Sequence, residues 1–402
     1  MTTLRIGFLS SAYEMSGSYF RVFFLGKYLA KKGHTVTLVV TSRQMNPKIV
    51  VKSIDGVTVF TLPSLTWATS NRMSNWLSRM LTSSAQTLLN PIWEITSDID
   101  ILHSFDVMFP QNALATVSRK ALNSLGGHGH SLFVDWDDWW GRGGLISLYG
   151  GLWSLIDVFG TFLEEKVPLY ARAVTVINET LRQRALRVGV NPEDLFVIPN
   201  GCNIDFIKPI DASVARQQLG LPMKNQICTQ IGNLDLTSLK LLLAAHTKVL
   251  KRHPNVFLML VGLSKDRINF VKSSGMSRNV ICLEWQSYSK IPLYLGASDI
   301  FLLPMEDNIA NRAAWPLRLG DYLAAGRPTV AVDFPEIRKI VQRCGLLADP
   351  TNPEDWVSKI LELLPDQNRR IEMGRRAREL AETKYSWQNI ARQLEEVYHR
   401  YL

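Results

Sequence analysis

The sequence has only four cysteines, and none of them has a neighbour at the spacing of a metal-binding or disulfide motif. They are Cys202, Cys228, Cys282 and Cys344. Four widely separated thiols argue against a zinc site and against a disulfide framework. We therefore expect a reducing compartment, the cytoplasm.

Long apolar runs are also missing. The most apolar stretch, residues 143–156, contains four glycines and lies between Arg142 and Asp157, whereas a spanning helix needs about 20 apolar residues. The first strand begins near Leu4 without the charged start and apolar core of a signal peptide. These absences predict a protein that is neither exported nor membrane-spanning, although peripheral contact with the inner face of a membrane stays open.

Charge of one sign is not concentrated anywhere, although the net charge is +9. No Lys/Arg run is interleaved with aromatic residues, and no zinc-finger spacing occurs, so we expect no nucleic-acid partner. A dispersed positive charge favours anionic partners through long-range attraction. Nucleotide sugars and anionic lipid head groups both fit that sign.

Two phosphate-binding fingerprints are absent from the loop after the first strand, residues 4–10. This loop contains Gly17 but neither a GxGxxG pattern nor the lysine of a P-loop, so a dinucleotide or ATP site is not supported. A helix is predicted from about residue 19 to 32, with Ser18 as its N-cap and Gly33 at its end.

Length and pattern predict two α/β domains. A chain of 402 residues exceeds what one hydrophobic core usually supports, and alternating strand and helix patterns are typical of parallel sheets. We place the boundary after Pro209, so that the first domain comprises residues 1–209 and the second begins at residue 210.

The second domain contains the most informative passage, a polar loop at residues 306–312 followed by a short helix between two apolar strands. Pro316 suits the first helical position and Gly326 suits the residue just past the helix end. Free amides at the helix start, together with Arg318, make an anion site. Asp321, on the same helix face, could accept hydrogen bonds from ribose hydroxyls. The alternative is a surface ion pair between Arg318 and Asp321 worth under ~1 kcal/mol.

Polar side chains also follow two predicted strands of the first domain. His103 and Asp106 lie at the end of residues 98–106, and the run 135–144 combines three aspartates, including Asp137 and Asp138, with three tryptophans. Such carboxylates suit acceptor binding or general-base chemistry, and indole faces commonly stack on sugars. Alternatives are a divalent metal site, an aspartate-capped turn over a Trp-rich core, and a histidine hydrogen-bonded within the sheet edge.

Residues 65–93 read as one long helical segment with an apolar stripe and Trp76 near its middle. Such a stripe could lie on a membrane and recruit a lipid-linked acceptor. The alternative is a helix that faces its own core.

The string from Trp315 to Pro328 resembles the donor-site signature of retaining glycosyltransferases of the GT-B fold, in particular glycosyltransferase family 4. Further similar segments are residues 173–178, 197–201, 258–262 and 297–304. The resemblance implies two Rossmann-like, doubly wound parallel-sheet domains that face each other across a cleft. It also implies an acceptor domain at residues 1–209, a donor domain at residues 210–385, and a final helix, residues 386–402, that packs back on the first domain.

The resemblance further implies a set of site residues. Asp321 would contact the ribose and Arg318 the diphosphate. The implied donor-binding set is completed by Gly17, Arg21, Gly232, Asn233, Lys240, Glu306, Asp307, Asn308, Asn311, Arg312 and Leu319. The candidate catalytic residues are His103, Asp106, Asp137 and Asp138.

The implied activity is transfer of a sugar from a nucleotide-diphosphate sugar to an acceptor hydroxyl with retention, in glycan, polysaccharide or glycolipid synthesis. The acceptor would be a sugar, a glycan or a lipid-linked molecule, and neither a metal nor a resident cofactor is expected. Three departures from the family pattern, at Ala313, Asn233 and Phe105, motivate an alternative, a catalytically degenerate GT-B scaffold that acts as a binding or partner subunit. A further alternative is another GT-B reaction, such as epimerisation of a nucleotide sugar.

Overall fold

The computed structural model describes residues 2–14, 16–42, 48–62, 99–105, 131–147 and 153–402. The chain divides into two compact units: unit 1 comprises Met1–Asn200 and Trp387–Leu402, and unit 2 comprises Gly201–Ser386. The boundary expected from the sequence was after Pro209. The assignment of acceptor and donor roles to the two units stays a prediction. Asp106 and the 65–93 segment lie outside the described residues.

Unit 1 is built on a sheet that has eight strands among the described residues. They are β1 Arg5–Tyr13, β2 Thr35–Thr41, β3 Val50–Ile54, β4 Val57–Leu62, β5 Ile101–Ser104, β6 Ser131–Trp136, β7 Ala173–Val176 and β8 Leu195–Val197. Their order is β3-β4-β2-β1-β5-β6-β7-β8. Only the β3–β4 pair is antiparallel within this described sheet.

Unit 2 has a parallel sheet of six strands. They are β9 Ile227–Ile231, β10 Phe257–Val261, β11 Val280–Leu283, β12 Ile300–Leu303, β13 Thr329–Val332 and β14 Gly345–Ala348. The order is β11-β10-β9-β12-β13-β14. Every residue of β9, β12 and β13 is buried, as expected for parallel strands covered on both faces.

The α-helices are numbered along the described part of the chain. They are α1 Gly17–Lys31, α2 Trp153–Lys166, α3 Glu179–Val188, α4 Ala212–Leu219, α5 Leu236–Arg252, α6 Lys265–Ser273, α7 Ile291–Gly296, α8 Ile309–Arg312, α9 Leu317–Ala325, α10 Pro335–Val341, α11 Pro353–Leu363, α12 Gln367–Thr383 and α13 Trp387–His399. Unit 1 includes α1, α2, α3 and α13. Where the helices are described, none is long and apolar enough to cross a membrane.

Capping residues explain where α1 begins and where α9 begins and ends. Ser16, not Ser18, caps α1, because its extended backbone lets Oγ accept from Tyr19 N at 3.4 Å. Pro316 lies just before α9 with an extended backbone, rather than in the first turn. Gly326 ends α9 with φ 67°, the left-handed conformation that glycine adopts without a Cβ penalty.

Each sheet has a point where the strand order reverses. In unit 1 the reversal lies between β1 and β5, and in unit 2 it lies between β9 and β12. Open α/β sheets bind their ligands outside the carboxyl ends of the strands at such switch points. The loops after β9 and β12 therefore lie where this fold is expected to bind a ligand in unit 2.

Candidate functional site

Gly232 and Arg318 meet at the switch point of unit 2. Gly232 follows the last residue of β9 and has φ 99°. Arg318 lies in the first turn of α9, and its Nη1 is 3.3 Å from the position that a Cβ on residue 232 would take. The absence of a side chain at Gly232 thus lets the guanidinium approach the backbone at the carboxyl end of the central strand.

Not every hydrogen-bond donor of the Arg318 guanidinium has a partner within the protein. Its Nε is buried and has no hydrogen-bond partner among the described residues. Burial lowers the pKa of Arg318, and nearby Tyr322 and Asp235 act in the opposite direction. Arginine remains charged in proteins even so. The site therefore presents a cation with an unsatisfied donor, which is a costly arrangement unless a ligand completes it.

Asp321 is partly buried one turn further along α9, and no hydrogen bond or ion pair joins it to Arg318 in the described part of the chain. The surface ion pair weighed above is therefore not formed. Burial raises the pKa of Asp321 to about 7. This carboxylate is available as a hydrogen-bond acceptor and is destabilised in its charged form, a combination that favours ligand hydroxyl donors.

The loop after β12 is held by its own side chains. Asp307 pairs with Arg312 through two contacts of 2.5 and 2.7 Å. Asn308 caps α8 by accepting from Asn311 N at 2.9 Å, and Asn311 Nδ2 donates to Glu306 O at 2.8 Å. Within this predicted donor-binding set, these contacts leave Asn308 Nδ2 buried without a partner.

Other predicted donor residues point to neighbouring helices. Glu306 accepts from Thr237 Oγ1 at 3.1 Å, at the start of α5. Asn233 Oδ1 accepts from Ser264 N at 3.1 Å, before α6. Lys240 is exposed, with its Nζ 5.8 Å from the centroid of the Phe270 ring.

Two apolar positions of the signature are buried. The side chains of Leu319 and Ala313 are each 0% exposed. Leu319 therefore contributes packing rather than a side-chain contact to a donor. Ala313, one of the three departures from the family pattern, offers no polar side-chain group and is covered by protein.

In unit 1, Gly17 is exposed at the start of α1, just beyond β1, and nothing lies within 4 Å of where its Cβ would be. It lies beside the β1–β5 switch point, and its expected role in a phosphate-binding or acceptor-binding loop stays a prediction.

Arg21, which the sequence analysis predicts to bind the donor, is instead part of a buried network in unit 1. Its side chain is 1% exposed and pairs with Asp135 at 3.0 and 2.7 Å. Its remaining N–H groups donate to the carbonyls of Ile198 and Pro199 and to Asn200 Oδ1. All five donors of the guanidinium are thus used within the protein, which contradicts a role in holding donor phosphates.

His103 belongs to the same buried network. Its Nδ1 lies 2.7 Å from Tyr398 Oη and its Nε2 lies 3.2 Å from Thr175 Oγ1, which in turn donates to Asp135 Oδ2 at 2.5 Å. Burial lowers the pKa of His103 to about 4, against the opposing effect of Asp135. The ring is 0% exposed, so the structure favours the histidine held within the sheet over a catalytic one.

The tryptophan-rich turn after β6 is packed around an ion pair. Glu164 accepts from Arg184 at 2.8 and 2.9 Å and from Trp136 Nε1 at 2.6 Å. The Arg184 guanidinium lies 4.8 and 4.3 Å from the ring centroids of Trp136 and Trp139. Both indoles are buried, so their faces do not form the expected sugar platform.

The two catalytic candidates of this turn differ in exposure. Asp137 is 7% exposed, and Asp138 is half-buried. Of the two, Asp138 is the better placed to meet a solvent-borne acceptor. The arrangement resembles the alternative weighed above, an aspartate-bearing turn over a Trp-rich core.

The described residues hold one group of three potential metal ligands, formed by His34, Glu395 and His399, whose ligand atoms lie within 4.8 Å of one another. His34 Nδ1 accepts from Leu4 N at 3.1 Å, so the neutral ring carries its proton on Nε2 and donates it to Glu395 at 2.9 Å. Lys32 also pairs with Glu395. A protonated nitrogen and an ammonium at the shared carboxylate do not fit a resident cation.

Sequence reasoning missed the buried polar partners. Tyr398, Thr175, Glu164 and Arg184 were not singled out, although each holds a residue of a predicted site. Arg184 and Glu164 had no distinguishing signal, because each has a polar or charged neighbour in the sequence. Tyr398 had none, because its partner lies in a distant strand.

Two family models match nearly all of the chain in succession. "Glycosyltransferase Family 4" matches residues 16–206, and "Glycosyl transferases group 1" matches residues 211–380. The chain belongs to the family 4-type glycosyltransferases of the GT-B fold. The predicted recognition and the predicted fold class are thereby confirmed, and the two match boundaries bracket the expected division of the sequence.

Known relatives agree with this assignment. D-inositol 3-phosphate glycosyltransferase of Segniliparus rotundus is 28% identical over 211 residues, 50% of this chain and 46% of that protein. The chain spans about half the length of the curated relatives it matches.

Solved structures agree in fold. Sucrose-phosphate synthase of Thermosynechococcus elongatus has a TM-score of 0.73 at 17% identity, with 98% of both chains covered. HepE of Anabaena, solved in complex with UDP-glucose, has a TM-score of 0.69 at 15% identity, with 99% and 100% covered.

Proposed function

We propose that this family 4-type glycosyltransferase moves a sugar from a nucleotide-diphosphate sugar to an acceptor hydroxyl, and that it binds its donor at the switch point of unit 2. The observation that carries the proposal is the Arg318 guanidinium, which lies against Gly232 with its Nε unpartnered. A diphosphate is the anion that this place in the fold receives most readily.

The roles of the other groups follow from their chemistry. The free amides at the start of α9 and the Arg318 charge would stabilise the diphosphate as the glycosidic bond breaks and charge develops on the leaving group. Asp321 would accept hydrogen bonds from the ribose hydroxyls. These protein groups would stabilise the developing charge without a metal ion or a resident cofactor.

The finer assignments rest on resemblance. Retention of configuration, a role in glycan, polysaccharide or glycolipid synthesis, and a sugar, glycan or lipid-linked acceptor are all part of the proposal. UDP-glucose is bound by HepE, and D-inositol 3-phosphate is named for a relative, which supports a nucleotide donor and leaves the acceptor of this chain to be measured. The expected cytoplasmic location stays a prediction.

The test is a thermal-shift series with UDP, GDP and ADP and their sugars, with magnesium and with a chelator. A ligand at ~100 times its Kd adds ~2.7 kcal/mol, which should raise the midpoint by about 2 to 4 °C. Arg318→Ala and Asp321→Ala should abolish the shift. Arg338→Ala, which removes an exposed ion pair with Asp333 elsewhere in unit 2, should retain it.

Product analysis then separates the reactions. Transfer requires an added acceptor, whereas epimerisation of the nucleotide sugar would give product without one. A shift that survives Arg318→Ala would place the donor elsewhere. No shift for any nucleotide at millimolar concentration would favour the degenerate scaffold.

A further inference from the structure

Large apolar side chains are exposed together on one segment of unit 1. Val158, Phe159 and Phe162 of α2 are 72%, 44% and 57% exposed, and the 3₁₀ turn that follows adds Leu169 and Tyr170 at 39% and 44%. Single exposed apolar residues are normal on protein surfaces, but a contiguous group marks an interaction site.

The exposed residues of α2 share a face. Val158 and Phe162 are four residues apart, and Lys166 is a further four residues along, so all three lie in one row on the helix. Lys166 is exposed and makes no ion pair with any described residue. The row is thus apolar with a cation at its end.

The carboxylates of α2 are all engaged by other groups of unit 1. Asp157 Oδ1 accepts from Arg142 N at 3.1 Å, and Glu165 pairs with the Arg142 side chain at 2.8 Å. Glu164 pairs with Arg184. The row of Val158, Phe162 and Lys166 has no acidic member, and Glu165, which shares its face, is paired with Arg142.

Two exposed arginines lie near the apolar residues, one of them close in the sequence and the other close to Gly189. Arg172 is exposed just beyond Tyr170. Leu169 Cδ2 lies 3.9 Å from the Cβ position of Gly189, and Gly189 follows the exposed Arg187 by two residues. Neither arginine makes an ion pair with a described residue. Apolar side chains rimmed by unpaired cations characterise surfaces that bind anionic lipid head groups.

We propose that this face, formed by Val158, Phe159, Phe162 and Lys166 and bordered by Arg172 and Arg187, docks on an anionic lipid surface. A second copy of the chain fits less well, because a two-fold interface would set like charges against one another. The net charge of +9 supplies long-range attraction to such a surface. This face differs from the 65–93 segment that the sequence suggested, and it does not depend on the proposed transfer reaction.

The experiment is co-sedimentation of the full chain with vesicles of phosphatidylcholine alone or with about one-third phosphatidylglycerol. Wild type should bind the anionic vesicles, more weakly at high salt, and bind pure phosphatidylcholine poorly. The double variant Val158→Ser with Phe162→Ser should lower the apparent affinity more than about tenfold, and Lys166→Gln should lower it about fivefold. Ile371→Ser, which changes a 61% exposed residue of α12, should bind like wild type.

Two controls separate loss of vesicle binding from loss of the donor site and from poor folding. The double variant should retain the nucleotide-induced thermal shift of wild type, so that loss of vesicle binding is separate from loss of the donor site. Lys166→Gln removes only an exposed charge, so it tests the face even where the double variant folds poorly.

Several outcomes would overturn the inference. One is that the double variant and the separate variant Lys166→Gln both bind the vesicles as tightly as wild type does. Another is equal binding to both vesicle types. A fall in molar mass of the double variant in light scattering would instead assign the face to a second copy of the chain.

Discussion

His103 and Tyr398 are 295 positions apart in the chain, and yet Nδ1 of the one lies 2.7 Å from the hydroxyl of the other. Burial raises the pKa of Tyr398 well above its usual value, so the phenol keeps its proton and donates it to Nδ1. His103 Nε2–H then donates to Thr175, whose hydroxyl donates to Asp135. The direction of every bond is therefore determined, and α13 is fastened to the sheet of unit 1.

Removing the phenol should be costly. Tyr398→Phe leaves His103 Nδ1 buried without a donor, and we expect a loss of about 1–3 kcal/mol in the free energy of unfolding. Tyr401→Phe is the matched control, because its hydroxyl bonds Asp194 at a partly exposed site where water can replace it. Urea titration of both variants measures the difference, and equal losses would contradict the assignment.

Arg21→Ala should act on stability and not on nucleotide binding. Breaking a buried ion pair by removing one partner typically costs about 3–5 kcal/mol, because Asp135 would be left charged and buried. The Kd for the nucleotide, measured by calorimetry on the fraction that remains folded, should stay within about twofold of wild type. A selective loss of affinity in a protein of unchanged stability would restore the phosphate-binding role.

Gly232→Ala should weaken nucleotide binding. A methyl group would lie 3.3 Å from Arg318 Nη1 on a backbone at φ 99°, so we expect a loss of about 1 kcal/mol or more in stability together with displacement of the guanidinium. Gly220→Ala, at φ 64° with nothing within 4 Å, imposes backbone strain alone. Its Kd for the nucleotide should match wild type.

The raised pKa of Asp321 predicts that the free energy of unfolding decreases as pH rises. Because the folded-state pKa of about 7 exceeds the unfolded value near 3.8, the folded protein binds the proton more tightly, and stability falls as pH rises from about 4 to about 7. Asp321→Asn removes this fall. The variant should gain about 2–3 kcal/mol relative to wild type between about pH 5 and pH 8.

The matched control for that titration is Asp349→Asn. Hydrogen bonds from Thr351 lower the pKa of Asp349, so its stability contribution is lost only as pH falls through the acid range. The stability difference between this variant and wild type should be constant from about pH 5 to pH 8. A stability difference between Asp321→Asn and wild type that stays constant over the same interval would contradict the raised pKa.

The fold was accessible from the sequence where the signal was local. The apolar runs of β12 and β13, with Gly326 between them, define a strand, a helix end and a second strand within one short passage. The string from Trp315 to Pro328 placed Arg318 and Asp321 on the same helix, and the structure keeps both available to a ligand.

The remainder of the predicted site depended on contacts that no short passage contains. Arg21 looked like a loop cation because Asp135 and Asn200, which consume its donors, are more than a hundred positions away. His103 looked catalytic for the same reason. Burial of a polar residue is a property of its distant partners, and a motif shows only its neighbours in the chain.

The placement of α13 has a consequence for synthesis on the ribosome. Unit 2 is complete at Ser386, whereas unit 1 still lacks the helix that carries Tyr398 and Glu395. The part that begins first is thus finished last. During translation, His103 and His34 therefore lack their hydrogen-bond partners until all of unit 2 has emerged. Unit 1 begins first in the chain, but it would complete its folding after unit 2.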